Sequence, residues 1–450
     1  MSQIHFETLG CKLNQIETES LAQAFTRCGF SVTDKTPAAE ALSPADEVSS
    51  ADKPLLCVVN TCTVTGKAEQ KARRLIRLLI RTWPDTPVLV TGCYAEVEAE
   101  TIASIDSAVC VLPGSRKNEL PDLPEFMMER FAAFPDKTVF TILDEFIRNE
   151  SGTVPPFRLS TDNFHFHSRA SIKIQDGCNN KCAYCRIRLA RGTAVSLPSD
   201  EVISRIRSIE EAGWNEVILT GVNLSQYESD GGDFADLLKR ILRETTRIQI
   251  RISSLYPERV DERLTPILAH ERICPHFHLS VQSGSDRILA LMRRPYTASM
   301  VHQAANRLRS VKENPFIACD IITGFPSETD EDFEQTFAMC SEIGFAWIHA
   351  FPFSPRPGTE AYTMRPHIPE RIAGERVARL SILAEENRQT YRDYWIGRTL
   401  PAIVETDSGV NGTTVLTENY LPVVIPETGL RRGSRVMVRL TGLTHGVLDN

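Results

Sequence analysis

The spacing of apolar residues divides the chain into stretches with different rhythms. In residues 1–125, short apolar runs alternate with patterns of helical period. "SQIHFETLGC" leads into "KLNQIETESLAQAFTRCGF", "PLLCVVNTC" into "KAEQKARRLIRLLIRTW", and "PVLVTGC" into "AEVEAETIASI". Each pair predicts a strand followed by a helix, and three pairs in a row predict a parallel sheet covered by helices. Residues 34–53, "DKTPAAEALSPADEVSSADK", are acidic and rich in Ala, Ser and Pro, and read as an exposed insertion.

Residues 126–163 show little periodicity and read as a connecting segment. The alternation resumes in 164–396 with six strand-like runs: "ASIKIQDGC", "EVILTGVN", "RIQIRISSLYP", "HFHLSVQSG", "FIACDIITGFP" and "AWIHAFPFSP". Helical patterns such as "SDEVISRIRSIEEAG" separate them. Six βα repeats are two short of a closed barrel and predict an open, partial (βα)6 barrel, with its chemistry at the strand ends. In residues 397–450 the pattern becomes β-branched alternation broken by Gly, Pro and Asn, which predicts a small all-β barrel. The expected fold class is α/β: a parallel sheet domain, a partial barrel and a β-barrel tail.

Composition narrows the function. No apolar run is long enough to span a bilayer, and "MSQIHFETLGCK" lacks the pattern of a signal peptide, so a cytosolic protein without a membrane partner is expected. The net charge of −8 excludes a surface coated in positive charge for nucleic acid, but not a local basic patch. Twelve cysteines in such a chain argue for metal or catalysis rather than disulfides. Cys28, Cys57, Cys110, Cys274, Cys319 and Cys340 stand singly among apolar residues and read as small buried hydrophobes.

The other six cysteines fall in two sets. Cys178, Cys182 and Cys185, in "DGCNNKCAYC", lie on one loop after the first barrel strand. Three thiolates on a 4Fe–4S cube leave one iron open to a small molecule, whereas an electron-transfer ferredoxin would want a fourth cysteine. Zinc with a water is the alternative, although three cysteines make a poor catalytic zinc set. Cys11, Cys62 and Cys93 each end a strand of the first domain. Parallel strand ends lie along one sheet edge, so these thiols either converge on one site or are three independent core cysteines.

The C-x3-C-x2-C motif, with Tyr184 before its last cysteine and a six-repeat βα pattern behind it, resembles the radical SAM superfamily. The resemblance implies that S-adenosylmethionine (SAM) chelates the open iron. One electron then cleaves it to methionine and a 5′-deoxyadenosyl radical. "LGCKLNQIETE", "VVNTCTVTGKAEQKARRLIR" and "VTGCYAE" resemble the N-terminal domain of the methylthiotransferases, a branch of that superfamily. There these three cysteines hold a second, auxiliary 4Fe–4S cluster, also with one open iron. The likeness continues in "VILTGVNL", "RISSLYP", "HLSVQSGSDRILALMRRPY", "DIITGFPSET" and "FPFSPRPGT" and covers nearly the whole chain, the 34–53 insertion being the one departure. In that family one SAM methylates a sulfur at the auxiliary cluster and a second supplies the radical. The wording around Cys11 and Cys62 is most similar to the branch that methylthiolates carbon 2 of threonylcarbamoyl-adenosine beside the tRNA anticodon. Sister branches act on isopentenyl-adenosine or on a ribosomal-protein aspartate, and the latter tends to read "LGCPKN" where this chain has "LGCKLN". A third reading, of a different class, is an iron–sulfur RNA-binding module that does not turn over and so cleaves no SAM.

The same resemblance suggests where partners bind. The tail is similar to a TRAM domain, in which Arg431, Arg432, Arg435 and Arg439 fit phosphate contacts and Tyr420 a stacking surface. Lys67, Lys71, Arg74 and Arg81 recur at helical spacing after Cys62, opposite Ala68, Ala72, Leu75 and Leu79, and suit the anticodon stem-loop of tRNA. Without that context, both groups are solvated faces. Around SAM, Tyr184 is placed on the adenine, and Asn223, Ser253 and Gln282, at the ends of successive strands, face the nucleoside or SAM. Asp320 and Arg293 are weaker candidates, since structural ion pairs explain them equally. The chemistry also requires an electron donor such as flavodoxin or ferredoxin and a sulfur donor, and the family precedent is a monomer.

Overall fold

In the computed structural model the first three strand-and-helix pairs lie where the apolar pattern puts them. Residues 2–35, 53–149, 154–159, 164–407 and 412–449 are described, so most of the 34–53 insertion lies outside them. The chain divides into two units, Met1–Phe166 with Arg186–Thr193, and His167–Cys185 with Ala194–Asn450.

The first unit is built on a parallel sheet of β1 (Gln3–Thr8), β2 (Ser31–Thr33), β3 (Leu56–Thr61), β4 (Val88–Gly92) and β5 (Val109–Val111), in the order β2-β1-β3-β4-β5. Its helices are α1 (Lys12–Arg27), α2 (Gly66–Thr82), α3 (Cys93–Val97) and α4 (Ala99–Ala103). Successive residues of a strand point to opposite faces, and both faces of this sheet are covered. Val58 joins Phe6, Leu21 and Phe25 on one side, while Val59 joins Ala72, Ile76 and Leu79 of α2 on the other.

The connecting segment needs a correction. Much of it is helical, in α5 (Leu123–Ala133) and α6 (Val139–Arg148). Helix α6 buries Val139, Ile142, Leu143 and Phe146 in the first of those cores, at i, i+3, i+4 and i+7. That is one helical face, too short and too closely flanked by Pro135 and Asn149 to stand out from the sequence. Segment 186–193, which carries the short helix α7 (Ile187–Arg191), also belongs to this unit.

In the second unit six parallel strands follow one another in chain order: β6 (Ala170–Lys173), β7 (Glu216–Thr220), β8 (Gln249–Ile252), β9 (His276–Gln282), β10 (Phe316–Thr323) and β11 (Trp347–Pro352). β6, β7 and β8 pair as one sheet. β9, β10 and β11 form another, which the short strand Ser254–Leu255 extends just past the end of β8. Ser253 sits at the break. The connecting helices include α8 (Ser199–Glu211) and α9 (Phe234–Glu244), then α10 (Thr265–Leu268), α11 (Asp286–Leu291), α12 (Ala298–Val311) and α13 (Asp330–Ile343). This is the open (βα)6 barrel that the repeats imply.

After the long helix α14 (Glu370–Trp395), five antiparallel strands complete the unit: β12 (Thr399–Asp407), β13 (Thr413–Thr417), β14 (Pro422–Ile425), β15 (Arg435–Leu440) and β16 (Gly446–Leu448). Their order is β14-β13-β12-β15-β16, and a bridge between Val424 and His445 draws the two edges together into a near-barrel. Val404, Val415, Val423 and Val438 fill it, against Tyr391 and Trp395 of α14. Cys57, Cys274, Cys319 and Cys340 are buried as expected, whereas Cys28 and Cys110 are only partly so. Among the described residues no helix is long and apolar enough to cross a membrane.

Candidate functional site

Strands β1, β3 and β4 are neighbours, and each runs into one cysteine at its carboxyl end. Cys11 is the N-cap of α1 and Cys93 is the first residue of α3. Two glycines permit the approach. Gly10 has φ +108°, and a Cβ there would lie 2.5 Å from Cys62 Cβ and 2.9 Å from its sulfur. Gly92, with φ +94°, would place a Cβ 2.4 Å from Asn60 Oδ1 and 2.5 Å from the Thr61 carbonyl. Asn14 ties the ends together: its amide donates to the carbonyls of Leu9, at 2.7 Å, and Thr61, at 3.0 Å.

These thiols share one electrostatic environment. Burial pushes the Cys62 thiol up to about 12; the Val64 N–H opposes this, while Cys11 and Cys93 add to it. Burial also raises Cys93, and Arg191 pulls it back. The Arg191 side chain is 2% exposed. Its Nε donates to Cys93 Sγ at 3.1 Å, and its other nitrogens donate to Glu17 Oε1 at 2.9 Å and Asn14 Oδ1 at 2.7 Å. Asn14 and Arg191 were not singled out from the sequence. Arg191 lies 98 residues from Cys93, so no local spacing signals the contact.

The second set occupies the loop after β6. Gln175 braces it, accepting from the Asn223 N–H at 2.8 Å while donating to the carbonyls of Asp176 and Gly177. Cys178 Sγ accepts from the Asn180 N–H at 3.4 Å and lies 3.9 Å from Asn223 Nδ2. Burial raises the Cys178 thiol, and those two donors counter it. Ala183 N–H donates to Met292 and its carbonyl accepts from Ala361, so the loop is pinned to the barrel on both sides. Arg294 Nη1 donates to Cys182 Sγ at 3.3 Å.

The remaining predicted residues divide. Asn223 stands beside Cys178, and the half-buried Tyr184 packs edge-on to Phe325. Ser253 Oγ is buried at the break in the barrel, without a hydrogen-bond partner among the described residues. Gln282 ends β9 with φ +72°, a conformation that costs a side-chain-bearing residue about 1 kcal/mol or more and marks functional positions elsewhere. Asp320 Oδ1 meets His278 Nε2 at 3.2 Å, and Arg293 meets Glu360 at 2.7 Å, so both have structural partners. Lys67, Lys71, Arg74 and Arg81 are exposed on one side of α2 together with Arg77, which the sequence reading left out. Among the described residues none of these five is ion-paired, whereas Arg73 is held by the Tyr94 hydroxyl at 2.6 Å. Arg431, Arg432, Arg435 and Arg439 are exposed. Tyr420 is a correction: its ring lies 4.1 Å from that of His276, with the guanidinium groups of Arg251 and Arg169 over it at 5.3 and 5.8 Å. The protein's own side chains take up the ring, so it is not carried forward as a stacking surface.

Each set offers three thiols with N–H donors aimed at sulfur, which is the chemistry a cluster-ligating thiolate needs. Cys62, Cys93 and Cys178 are buried, Cys182 and Cys185 half-buried and Cys11 exposed. Three cysteines are a poor donor set for a catalytic zinc, whereas three thiolates are the set that leaves one iron of a cube open. In the chemistry of its donors each set suits a 4Fe–4S cluster with three protein ligands.

Residues 172–340 match the Radical SAM superfamily, and residues 3–114 match "Uncharacterized protein family UPF0004". The fold is similar to that of a radical S-adenosylmethionine methyltransferase, TsrM, from Kitasatospora setae, with a TM-score of 0.54 and 15% identity over 80% of this chain and 77% of that one. Fold and matched domain are those of a radical SAM enzyme, a class that uses SAM and a 4Fe–4S cluster. A threonylcarbamoyladenosine tRNA methylthiotransferase, MtaB, of Treponema pallidum is 46% identical, over 98% of both chains. Its Aquifex aeolicus counterpart is 34% identical, over 94% of this chain and 96% of that one. The chain belongs to the family of threonylcarbamoyladenosine tRNA methylthiotransferases.

Proposed function

We propose that the protein methylthiolates carbon 2 of N6-threonylcarbamoyladenosine beside the anticodon of tRNA, giving 2-methylthio-N6-threonylcarbamoyladenosine. The observation that carries this reading is the pair of three-thiol sets at parallel strand ends, in a chain alike to such enzymes along its length. Cys178, Cys182 and Cys185 would hold the cluster that takes SAM, and Cys11, Cys62 and Cys93 the auxiliary cluster. When bound, these groups supply the one-electron cleavage of SAM and a seat for the sulfur. The protein's part is to position and to shield. Gln175 and Asn223 fix the loop of Cys178, while Gly10, Asn14 and Gly92 let three strand ends converge. Asn223, Ser253, Gln282 and Tyr184 would face SAM or the nucleoside, Ser253 with a hydroxyl still to be satisfied.

The α2 cations and the arginines at 431, 432, 435 and 439 would hold the anticodon stem-loop by its phosphates, the last four on a TRAM-like tail over 397–450. The enzyme would work in the cytoplasm as a monomer, with a flavodoxin or ferredoxin as electron source and a separate sulfur donor. Nucleoside mass spectrometry on total tRNA from cells with and without the gene tests the reading. The methylthiolated nucleoside should vanish and its precursor accumulate. An unchanged profile rejects the tRNA substrate and turns attention to ribosomal proteins. The isopentenyl-adenosine alternative is not favoured: relatives of threonylcarbamoyl specificity are 46% and 34% identical, whereas two dimethylallyladenosine synthases alike over a similar length are 29% and 31% identical.

A further inference from the structure

Arg294 is a buried guanidinium with an unusual set of partners. It follows α11, and four contacts fix it: Nε to the Tyr296 hydroxyl at 2.7 Å, Nη1 to Tyr256 at 3.1 Å and to Cys182 Sγ at 3.3 Å, and Nη2 to the Ser280 carbonyl at 3.0 Å. It also lies against the tyrosine rings, 4.3 Å from the Tyr256 centroid and 4.9 Å from that of Tyr296. Among the described residues no carboxylate comes within ion-pair distance of it. Glu258 is near enough to feel its charge, but burial raises that carboxyl, and its Oε2 has no hydrogen-bond partner among the described residues. Arg191, at the other set, lies directly on the Glu17 carboxylate.

A buried cation without a matching anion is costly unless the site itself supplies negative charge. Three thiolates around a 4Fe–4S core supply it: the oxidised cluster is net negative, and one electron makes it more so by a full unit. Hydrogen bonds to cluster sulfurs and nearby charge are the means by which a protein sets such a potential. We propose that Arg294 is a positioning residue that raises the reduction potential of the cluster held by Cys178, Cys182 and Cys185, bringing it within reach of a low-potential flavoprotein or ferredoxin. The proposal rests on the cluster assignment made above. Its step is a one-electron transfer from that donor to the cluster, in which Arg294 neither gains nor loses a proton and the Cys182 sulfur keeps its hydrogen bond.

The test uses the full chain with Cys11, Cys62 and Cys93 replaced by Ala, so that one cluster loads, reconstituted without oxygen and followed by electron paramagnetic resonance during a redox titration. Arg294→Met should load its full iron and shift the midpoint to a more negative value. Arg294→Lys, which keeps the charge but loses the fork, should fall between. With the native cysteines, Arg294→Met should form 5′-deoxyadenosine about tenfold more slowly from a flavodoxin donor, equivalent to about 59 mV for one electron. It should recover nearly the parent rate with titanium(III) citrate, a stronger reductant. An unmoved midpoint in both fully loaded variants overturns the proposal. So does an equal loss with both reductants, which would place Arg294 on SAM or on folding. If Arg294→Met fails to load, Arg294→Lys carries the same comparison. A parent that binds no cluster in the three-Ala background rejects the cluster assignment itself, and the proposal with it.

Discussion

The face of α2 allows a prediction with a worked magnitude. Lys67, Lys71, Arg74, Arg77 and Arg81 are exposed and free of ion pairs among the described residues, so each charge is available to a phosphate. Each cation that neutralises one phosphate steepens the dependence of log affinity on log salt by roughly 0.7 to 0.9. Five such contacts give a slope of roughly 3.5 to 4.5, a loss of about 100-fold or more between about 50 and 200 mM salt. Replacing Lys71 and Arg74 by Gln should therefore flatten the slope by roughly 1.4 to 1.8 and weaken binding most at low salt. The assay is fluorescence anisotropy of a threonylcarbamoylated anticodon stem-loop titrated with protein across that range. Lys239→Gln, which removes an exposed cation already paired with Asp236 at 3.4 Å, is the control and should leave the slope unchanged. If the double variant keeps the parent slope while its fold is intact, α2 does not meet the RNA.

Three further outcomes test the site and its scaffold. Cys178→Ala should abolish 5′-deoxyadenosine formation, whereas Cys62→Ala should keep SAM cleavage and lose the methylthiolated nucleoside; chromatography of both products checks this, and equal loss in the two variants rejects the division of labour. Gly10→Ala and Gly29→Ala both put a side chain at positive φ, at a strain of about 1 kcal/mol or more, but only the Gly10 Cβ meets a neighbour. Both variants should therefore melt earlier, while iron analysis finds a shortfall only in Gly10→Ala; full iron in Gly10→Ala would refute the crowding argument. Asp332 accepts from Ser285 Oγ at 2.6 Å and pairs with Arg287, so its carboxyl is held well below the ordinary range even though burial works the other way. Its stabilisation is present above the unfolded-state pKa of about 3.9 and is lost as pH falls through the folded value. Asp332→Asn should cost about 1–3 kcal/mol near neutrality, and the gap in melting temperature should close as the pH is lowered below about 4.

How much of this was legible depended on the range of each interaction. Local rhythm was enough for the strands. "VVNTC" and "PVLVTGC" read as buried parallel strands and are β3 and β4, and the six runs of 164–396 are the six barrel strands in order. The positions of the cysteines followed, because a residue at the end of a parallel strand has its place fixed by the sheet. Helix α6 did not stand out, since its single apolar face spans only 10 residues. Tyr420 was misread because an aromatic on a small β-barrel carries no mark of which way it faces. Here positive φ at Tyr420 turns the chain, and His276 and two arginines receive the ring.

The arginines on the thiols show the other limit. Cys182 and Arg294 are 112 residues apart, and Cys93 and Arg191 are 98 apart, so neither pairing leaves a pattern in the sequence. What the sequence displays is the part of a cluster site that must be close in the chain or at a strand end, namely the ligands. What it hides is the set of donors to the sulfur lone pairs that ligation leaves over, because any element that can bring an N–H into reach will serve. The two sites meet that need with the same residue type and different surroundings: Arg191 on a carboxylate, Arg294 among tyrosines. Two thiol sets alike in ligand count therefore differ in how their arginines are partnered: Glu17 is shared by Arg191 and Lys117 at the first, and no carboxylate among the described residues pairs with Arg294 at the second. In the proposed reaction, where one cluster would supply an electron to SAM and the other would hold sulfur, the partners of these two arginines are where this chain can make the sites differ.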